Sequence, residues 1–406
     1  MPRTSPRIGL LVVATTTLLG VACSDDPSVF GNSTTSGGGQ GGASTASGGG
    51  QGGASTGGGQ GGEGGALVCP VGTGDCDGNA ANGCEVDLSS DAQHCGACPL
   101  DCNSGTCEAG VCAPVTVLAT AQDDVAYVAV AGEDVYWTNP SDGTVRHLPP
   151  GGGAPITVAA GQTTPAEIAA DATGVYWANQ GVTSQDNGSI WRGPPGGLPI
   201  PIAIGRPSPY GIAIDADSVY WTEREGGGAI VRAPKDSIGT GPYTTIATGM
   251  GTPHAIAVDG TTVYWILRDV GQVISAPKGS TGTGPFTTLA SGQASGQAGP
   301  REIAVDATHV YWTNSMAGVV MKVAKAGGSA PTPVALNQGN PRCIAADDTG
   351  VYWANSANGT VMKASPTGAL SAFVAGEPSP FGIALDATRV VWTNRVTNGT
   401  IASALK

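Results

Sequence analysis

The residues with the widest chemical range stand just before a recurring apolar strand. There the phrase is usually Pro-x-x-Ile or Pro-x-x-Val. Its two x positions are Ala126 and Tyr127, Ala166 and Glu167, Tyr210 and Gly211, His254 and Ala255, Arg301 and Glu302, Arg342 and Cys343, and Phe381 and Gly382. Tyr127, Glu167, Tyr210, His254, Arg301, Glu302, Arg342 and Phe381 combine aromatic faces, carboxylates, guanidinium groups and one imidazole. Binding pockets mix apolar surface with a few convergent polar groups in this way, so these eight are the candidate ligand-binding residues. His254 adds a group that titrates near pH ~6.5 when unperturbed, which would make binding pH-sensitive. Neighbouring loops add Glu223, Arg224, Glu225, Arg268, Asp269 and Arg395 to the same end. The competing reading is a solvated rim of incidental polar residues.

Catalytic chemistry has less to work with. The histidines are His94, His147, His254 and His309, and none belongs to a Ser/His/Asp set or a metal-spaced pair. The glycine-rich stretches follow no strand-to-helix pattern, so they do not read as phosphate loops. Cys343 reads as a small buried residue rather than a nucleophile. No catalytic residue is assigned. The inner strands read Ile-Ala-Ile with charge only at the rim, which favours binding of a protein, peptide or glycan. A lyase- or hydrolase-type enzyme with a metal in the central channel is the second reading. A structural envelope protein without a specific ligand is the third.

The elements that position these residues are repeated. Trp137, Trp177, Trp221, Trp265, Trp312, Trp353 and Trp392 each close a Val-Tyr-Trp phrase (Val-Val-Trp in the last), at spacings of 40, 44, 44, 47, 41 and 39 residues. Within each unit, runs of five or six residues rich in Val, Ile and Thr alternate with Gly, Pro and Asn turns, without helical periodicity. A period of about 40–45 residues made of short strands indicates propeller blades. In the third unit the strands are "YGIAID", "SVYWTE", "AIVRAP" and "YTTIAT", designated A to D from the axis outward. Strand B brings the Trp, expected to pack on the next blade. An Asp closes strand A at 171, 215, 259, 306, 347 and 386, which suggests a carboxylate bonding turn backbone. The last unit ends after its third strand, while "VTVLAT" (115–120) is an orphan fourth strand. Pairing the two hides both free edges of the array. The expected fold is therefore all-β, a seven-bladed β-propeller of four-stranded blades over residues 115–406, closed by its N-terminal strand.

The phrase "GIAID…VYWTE", with "VYWTN" in the first and fifth units, resembles the YWTD repeat of lipoprotein-receptor propellers. That family usually has six blades; seven units are counted here. At the level of blades the repeats are also similar to virginiamycin-lyase-like and strictosidine-synthase-like propellers. None of their catalytic residues has a match here.

The N-terminal quarter carries the targeting signals. "MPRTSPR" and the apolar "IGLLVVATTTLLGVA" form a signal peptide over residues 1–22, too short in its apolar part to span a membrane. The stretch from Leu19 to Cys23 resembles a bacterial lipobox, which implies a lipid on the Cys23 sulfur. By resemblance to enterobacterial lipoprotein sorting, Ser24 in place of Asp after it implies the outer membrane or the cell surface. Residues 23–66, with repeats of "GGGQGGAST", form a disordered tether with a mean reach of roughly 35 Å. Residues 67–114 hold Cys69, Cys76, Cys84, Cys95, Cys98, Cys102, Cys107 and Cys112 with few large apolar groups, so disulfides must staple this module. Spacing does not choose among the pairings. Asp75, Asp77 and Asn79 have the 1-3-5 spacing of a calcium loop, but Ala80 and Val86 replace its Gly and Glu, so a polar turn is the plainer reading. No cofactor is required and calcium is the one candidate. The formal charge of −13 and the lack of a basic run exclude a nucleic-acid footprint. Membrane contact is expected through the lipid anchor only, and the protein is expected to be a monomer.

Overall fold

A computed structural model describes residues 69–76, 84, 86–98, 105–108, 110–194 and 196–406. The expected signal peptide, Cys23 and the tether lie outside them. The ring is all-β. Its first blade contains strands Val128–Ala131, Asp134–Asn139, Thr144–Leu148 and Ile156–Ala159. The next five begin at Pro165, Pro209, Pro253, Pro300 and Pro341, each a four-strand antiparallel meander. Blade 7 joins Pro380–Leu385, Arg389–Asn394 and Gly399–Leu405 to Thr116–Gln122 from the start of the array. The expected closure is thus present, with Ala119 facing Ile401 and Gln122 facing Gly399.

All seven repeat Trp side chains are fully buried. Each lies in a cluster shared with the preceding blade, not the following one as expected. Trp221 packs with Ala169 and Tyr176 of blade 2, and Trp265 with Ala213 and Tyr220 of blade 3. Burying an aromatic of this size removes a large apolar area from water, so these interblade layers are the main core. Strand A is buried on both faces, which is why it reads as continuous Ile, Ala and Val.

The Cys-rich segment is not a detached bead. Its hairpin, Gly105–Glu108 with Val111–Pro114, adds to the outer edge of blade 6 through Thr106 and Val374 and makes a six-stranded sheet. The Ala92 amide donates to Ala372 O at 2.7 Å, and the Ala372 amide donates to Asp91 Oδ2 at 3.1 Å. Among the described residues, disulfides staple the segment at Cys69–Cys84, Cys76–Cys98 and Cys95–Cys107. Cys112 stands opposite Cys107 in the hairpin register, and Cys102 lies outside the described residues. Cys343 is buried, as expected of a small core residue, and is in addition disulfide-bonded.

Candidate functional site at the channel mouth

The variable x residues sit where strand A departs from regular pairing. In blade 3, Pro209 pairs with Glu223 and Ile212 with Trp221, so the register shifts across Tyr210 and Gly211. The same shift recurs at Pro165/Ile168, Pro253/Ile256, Pro341/Ile344 and Pro380/Ile383, and between Pro300 and Glu302. A bulge frees a side chain from the alternation of the strand and re-aims it. Here it turns six strand starts, those of blades 2 to 7, toward one end of the ring.

The glycines in two of these bulges have a steric reason. A Cβ on Gly211 would lie 2.5 Å from His254 O, and one on Gly382 the same distance from Ala126 O. The close approach lets one threonine bridge two blades. Thr222 Oγ1 accepts from the Gly211 amide at 2.8 Å and donates to His254 O at 2.8 Å. Thr393 does the same between Gly382 and Ala126. Tyr210 and Phe381, one residue before each glycine, are positioned by these bridges.

The eight expected residues do gather at one end, but most are not rim residues. Tyr127, Glu167, Tyr210, His254, Arg301, Glu302 and Phe381 are all at most 4% exposed, and Arg342 is half-buried. The expectation of charge only at a solvated rim is therefore corrected. Tyr127 meets Phe381 edge-on, with centroids 5.9 Å apart, and Tyr210 lies 4.6 Å from the His254 ring. Glu167 Oε2 accepts the Ile212 amide at 2.8 Å, tying blade 2 to blade 3. His254 Nδ1 lies 3.0 Å from Arg301 O, and Arg268 Nη1 lies 3.5 Å from His254 Nε2. Burial pushes the Tyr127 phenol well above its usual range; Tyr210, Glu302 and Glu167 push the same way and Arg301 opposes them. Side chains of blades 2, 3 and 5 thus act on one phenol of blade 1, which places them around the ring axis.

His254 is corrected as a pH sensor. Burial first, then Arg224, Arg301 and Arg268, hold its imidazole well below 6.5. It is neutral at physiological pH and does not change charge near its ordinary value.

A cavity of about 830 Å³ opens at this end between blades 6, 7, 1 and 2. Tyr127, Arg342 and Phe381 line it; the other five expected residues do not. Arg395 and Asp124 complete its polar wall, with Arg395 Nε 2.7 Å from Asp124 Oδ1. The Arg342 and Arg395 guanidinium carbons stand 5.5 and 4.9 Å from the Phe381 ring centre, and Arg224 stands 4.5 Å from that of Tyr210. Such cation–π contacts orient a guanidinium while leaving its edge for hydrogen bonds. Burial lowers Arg395 to about 10, and burial together with Arg301 and Arg268 lowers Arg342 to about 10.

Asp124 and the hydroxyls of Ser141, Ser356 and Ser379, which also line the cavity, escaped the sequence reading. A signal existed for part of this wall. Three residues after each repeat Trp stand Pro140, Gln180, Arg224, Arg268, Ser315, Ser356 and Arg395. Four of these line the cavity. Glu223, in contrast, is structural: it accepts from Arg206 Nε at 2.6 Å and Trp221 Nε1 at 2.9 Å.

Among the described residues no group of three or more His, Cys, Asp or Glu is placed to hold a metal ion. Of the calcium candidates, Asp75 is described and partly buried, while Asp77 and Asn79 lie outside the described residues.

No family model and no curated protein matches the chain. Solved structures do. A streptogramin B lyase aligns at TM-score 0.56 and 12% identity over 72% of this chain and 97% of its own. Virginiamycin B lyase from Staphylococcus aureus aligns at TM-score 0.57 and 12% identity over 72% of this chain and 99% of its own. At that identity the likeness shows the propeller fold alone.

Proposed function

We propose that the protein is an exported, lipid-anchored surface protein whose propeller is a non-catalytic binding module. Its ligand is a protein, peptide or glycan seated at the channel mouth. The observation that carries this reading is the cavity of about 830 Å³ lined by Tyr127, Phe381, Arg342 and Arg395. Aromatic rings and guanidinium groups are the side chains in which interface energy concentrates. The side chains here are held by bulges, bridging threonines and neighbouring blades, so little ordering cost falls on binding. Lipidation at Cys23 and the tether to residue 66 would hold this mouth away from the membrane surface.

Two arms test the proposal. For location, Cys23→Ala should release the protein from membrane fractions; unchanged association would remove the anchor from the picture. For function, full-length protein is screened on peptide and glycan arrays beside two variants. Phe381→Ala should weaken any ligand found by at least about tenfold. Asp217→Lys, exposed at the opposite end of the ring, should leave binding unchanged. The reverse pattern would move the site to the other face, and turnover of a bound compound would make the module an enzyme.

A further inference from the structure

We propose that the mouth takes a neutral, polyhydroxylated ligand, a short oligosaccharide, along the wall built by Asp124, Ser141, Arg342, Ser356 and Arg395. The inference rests on the reading that this mouth is the binding site, and it narrows the ligand classes named there to one.

The argument begins with what lines the cavity. Among the described residues on its wall, Pro140, Pro165, Phe381 and Val396 are apolar, and the other eleven carry hydrogen-bonding side chains. Two carboxylates, Asp123 and Asp124, stand against two guanidinium groups, Arg342 and Arg395, so the formal charge of the wall cancels. Gln180 adds an amide, and Thr164, Ser379 and Thr397 add hydroxyls. A ligand that displaces water from such a wall must return hydrogen bonds, because a polar group covered and left unmatched loses its hydration without replacement.

The bonds already made decide what the ligand must offer. Ser141 Oγ donates to Asp124 Oδ2 at 2.6 Å, and Ser356 Oγ donates to Asn340 O at 3.3 Å. With their protons committed, both hydroxyls can only accept from a ligand. The carboxylates also only accept, while the guanidinium groups only donate. An anion, which brings acceptors alone, has no proton for Ser141, Ser356 or the two Asp. A cation, which brings donors alone, meets two guanidinium groups that it cannot bond. A sugar hydroxyl donates and accepts at once, so it suits both kinds of partner.

The wall is also held in place. Arg395 Nε lies 2.7 Å from Asp124 Oδ1, and Arg342 Nε donates to Ser356 Oγ at 3.1 Å. Arg395–Asp124–Ser141 and Arg342–Ser356–Asn340 are thus two chains of oriented bonds on opposite sides of Phe381 in sequence order around the ring. Both guanidinium carbons stand over the Phe381 ring, at 4.9 and 5.5 Å from its centre, so the ring is their shared platform. Tyr127 and Phe381 are only 1% and 3% exposed. The aromatic part of the wall therefore offers little of the open apolar pocket that an anchoring peptide side chain fills. A volume of about 830 Å³ gives room for more than one sugar ring.

The test is an array read with the full-length protein in detergent. It carries neutral oligosaccharides of glucose, galactose, mannose and N-acetylglucosamine, their sialylated and sulfated counterparts as anions, de-N-acetylated chitooligosaccharides as cations, and peptides. Binding should fall on neutral oligosaccharides and change by less than about twofold as salt rises. Calorimetry with the strongest neutral binder then compares variants. Asp124→Asn/Arg395→Gln keeps the wall neutral but breaks its oriented bonds, and affinity should fall by at least about tenfold. Ser141→Ala, at an exposed residue, should cost about threefold or more and covers a failure of the double variant to fold. Absence of binding to every neutral oligosaccharide, preference for the anionic or cationic forms, or equal binding by both variants overturns the proposal. Peptide binding that is lost in Phe381→Ala, without oligosaccharide binding, would preserve the mouth as the site and overturn the ligand class alone. Oligosaccharide binding untouched by Phe381→Ala and by Ser141→Ala would overturn the mouth as the site.

Discussion

Lys278, just after strand C of blade 4, places its Nζ 2.7 Å from Oδ2 of Asp215, which closes strand A of blade 3. Lys325 reaches Asp259 at 2.8 Å in the next step, and Lys235 and Lys406 reach Asp171 and Asp347 likewise. Each pair joins a blade to its predecessor. The same carboxylates also hold their own turns: Asp215 Oδ1 accepts the Asp217 and Ser218 amides at 3.0 and 2.8 Å. One residue therefore serves both the turn and the blade interface. Blade 6 breaks the series: in the strand register Pro366 stands where blades 3, 4, 5 and 7 have Lys.

These pairs predict an acid limit to stability. Burial works against the charged form of Asp259, but hydrogen bonds from Lys325, the Thr261 amide and Tyr264 outweigh it and hold the carboxyl at about 2. A carboxyl lowered in the fold contributes stability above its unfolded value and loses it as pH falls through the folded one. Stability should therefore decline between about pH 4 and pH 2. Lys325→Met should cost roughly 1–3 kcal/mol at neutral pH and flatten that decline. Denaturant melts across the window check it; an unchanged slope would mean that this pair does not govern acid stability.

His254 predicts a second, separate pH effect. Its imidazole is neutral in the fold and protonates near pH ~6.5 when unfolded. The sign follows: its contribution is complete above 6.5 and is lost below it, by about 1.4 kcal/mol per pH unit while the folded form stays neutral. Between about pH 6.5 and pH 5, His254→Gln should lose less stability than the parent protein. Identical pH profiles would show that the folded imidazole protonates normally.

The repeat Trp rings are clamped unevenly. Gln162 Oε1 accepts from Trp177 Nε1 at 3.0 Å and Asn179 Nδ2 at 2.7 Å; Gln338 and Gln122 serve Trp353 and Trp137, and Glu377 serves Trp392. Each acceptor lies fifteen residues before its Trp. In blade 4 that place is Met250, and Trp265 Nε1 is buried with no hydrogen-bond partner. Gln162→Met should lower stability by about 1–3 kcal/mol through unpaired buried donors. Met250→Gln should raise the Tm by giving Trp265 an acceptor. Trp265→Ala sets the scale, at about 3–5 kcal/mol for the cavity left behind. A Met250→Gln protein that melts lower would show that the Met packing outweighs the missing bond.

Closure predicts how truncation fails. Removing residues 116–122 would expose the strand C edge of blade 7 and also take Gln122 from Trp137. The shortened protein should aggregate or melt earlier. Equal Tm values would mean that the ring closes without this strand.

The docked hairpin predicts a local effect of reduction. With Cys95–Cys107 opened, the hairpin loses its tie to the segment whose Asp91 and Ala92 bond Ala372. Hydrogen exchange at Ala372 and Val374 should then accelerate while the Trp221 and Trp265 layers stay protected. Uniform acceleration around the ring would indicate global unfolding instead.

The repeat of Val-Tyr-Trp at regular spacing determined the fold class, the blade count and the closing strand. Those features rest on local strand patterning and on the requirement that no sheet edge remain open, both of which are written along the chain. The positions that vary among units gather at one end of the ring, as their shared place at the start of strand A implied. The sequence could not reveal what those positions do once together. Arg224, Arg268, Arg301, Arg342 and Arg395 lie in five different blades, so no basic run appears along the chain, and only ring closure brings their charges into mutual range. Likewise His254 reads as a titratable group until burial and three Arg neighbours keep it neutral. The side on which each Trp packs, the Lys–Asp steps between blades and the seat of the Cys-rich hairpin on blade 6 were decided by tertiary structure. They depend on which surfaces meet across the ring, and such contacts between distant residues leave no periodic mark in the sequence.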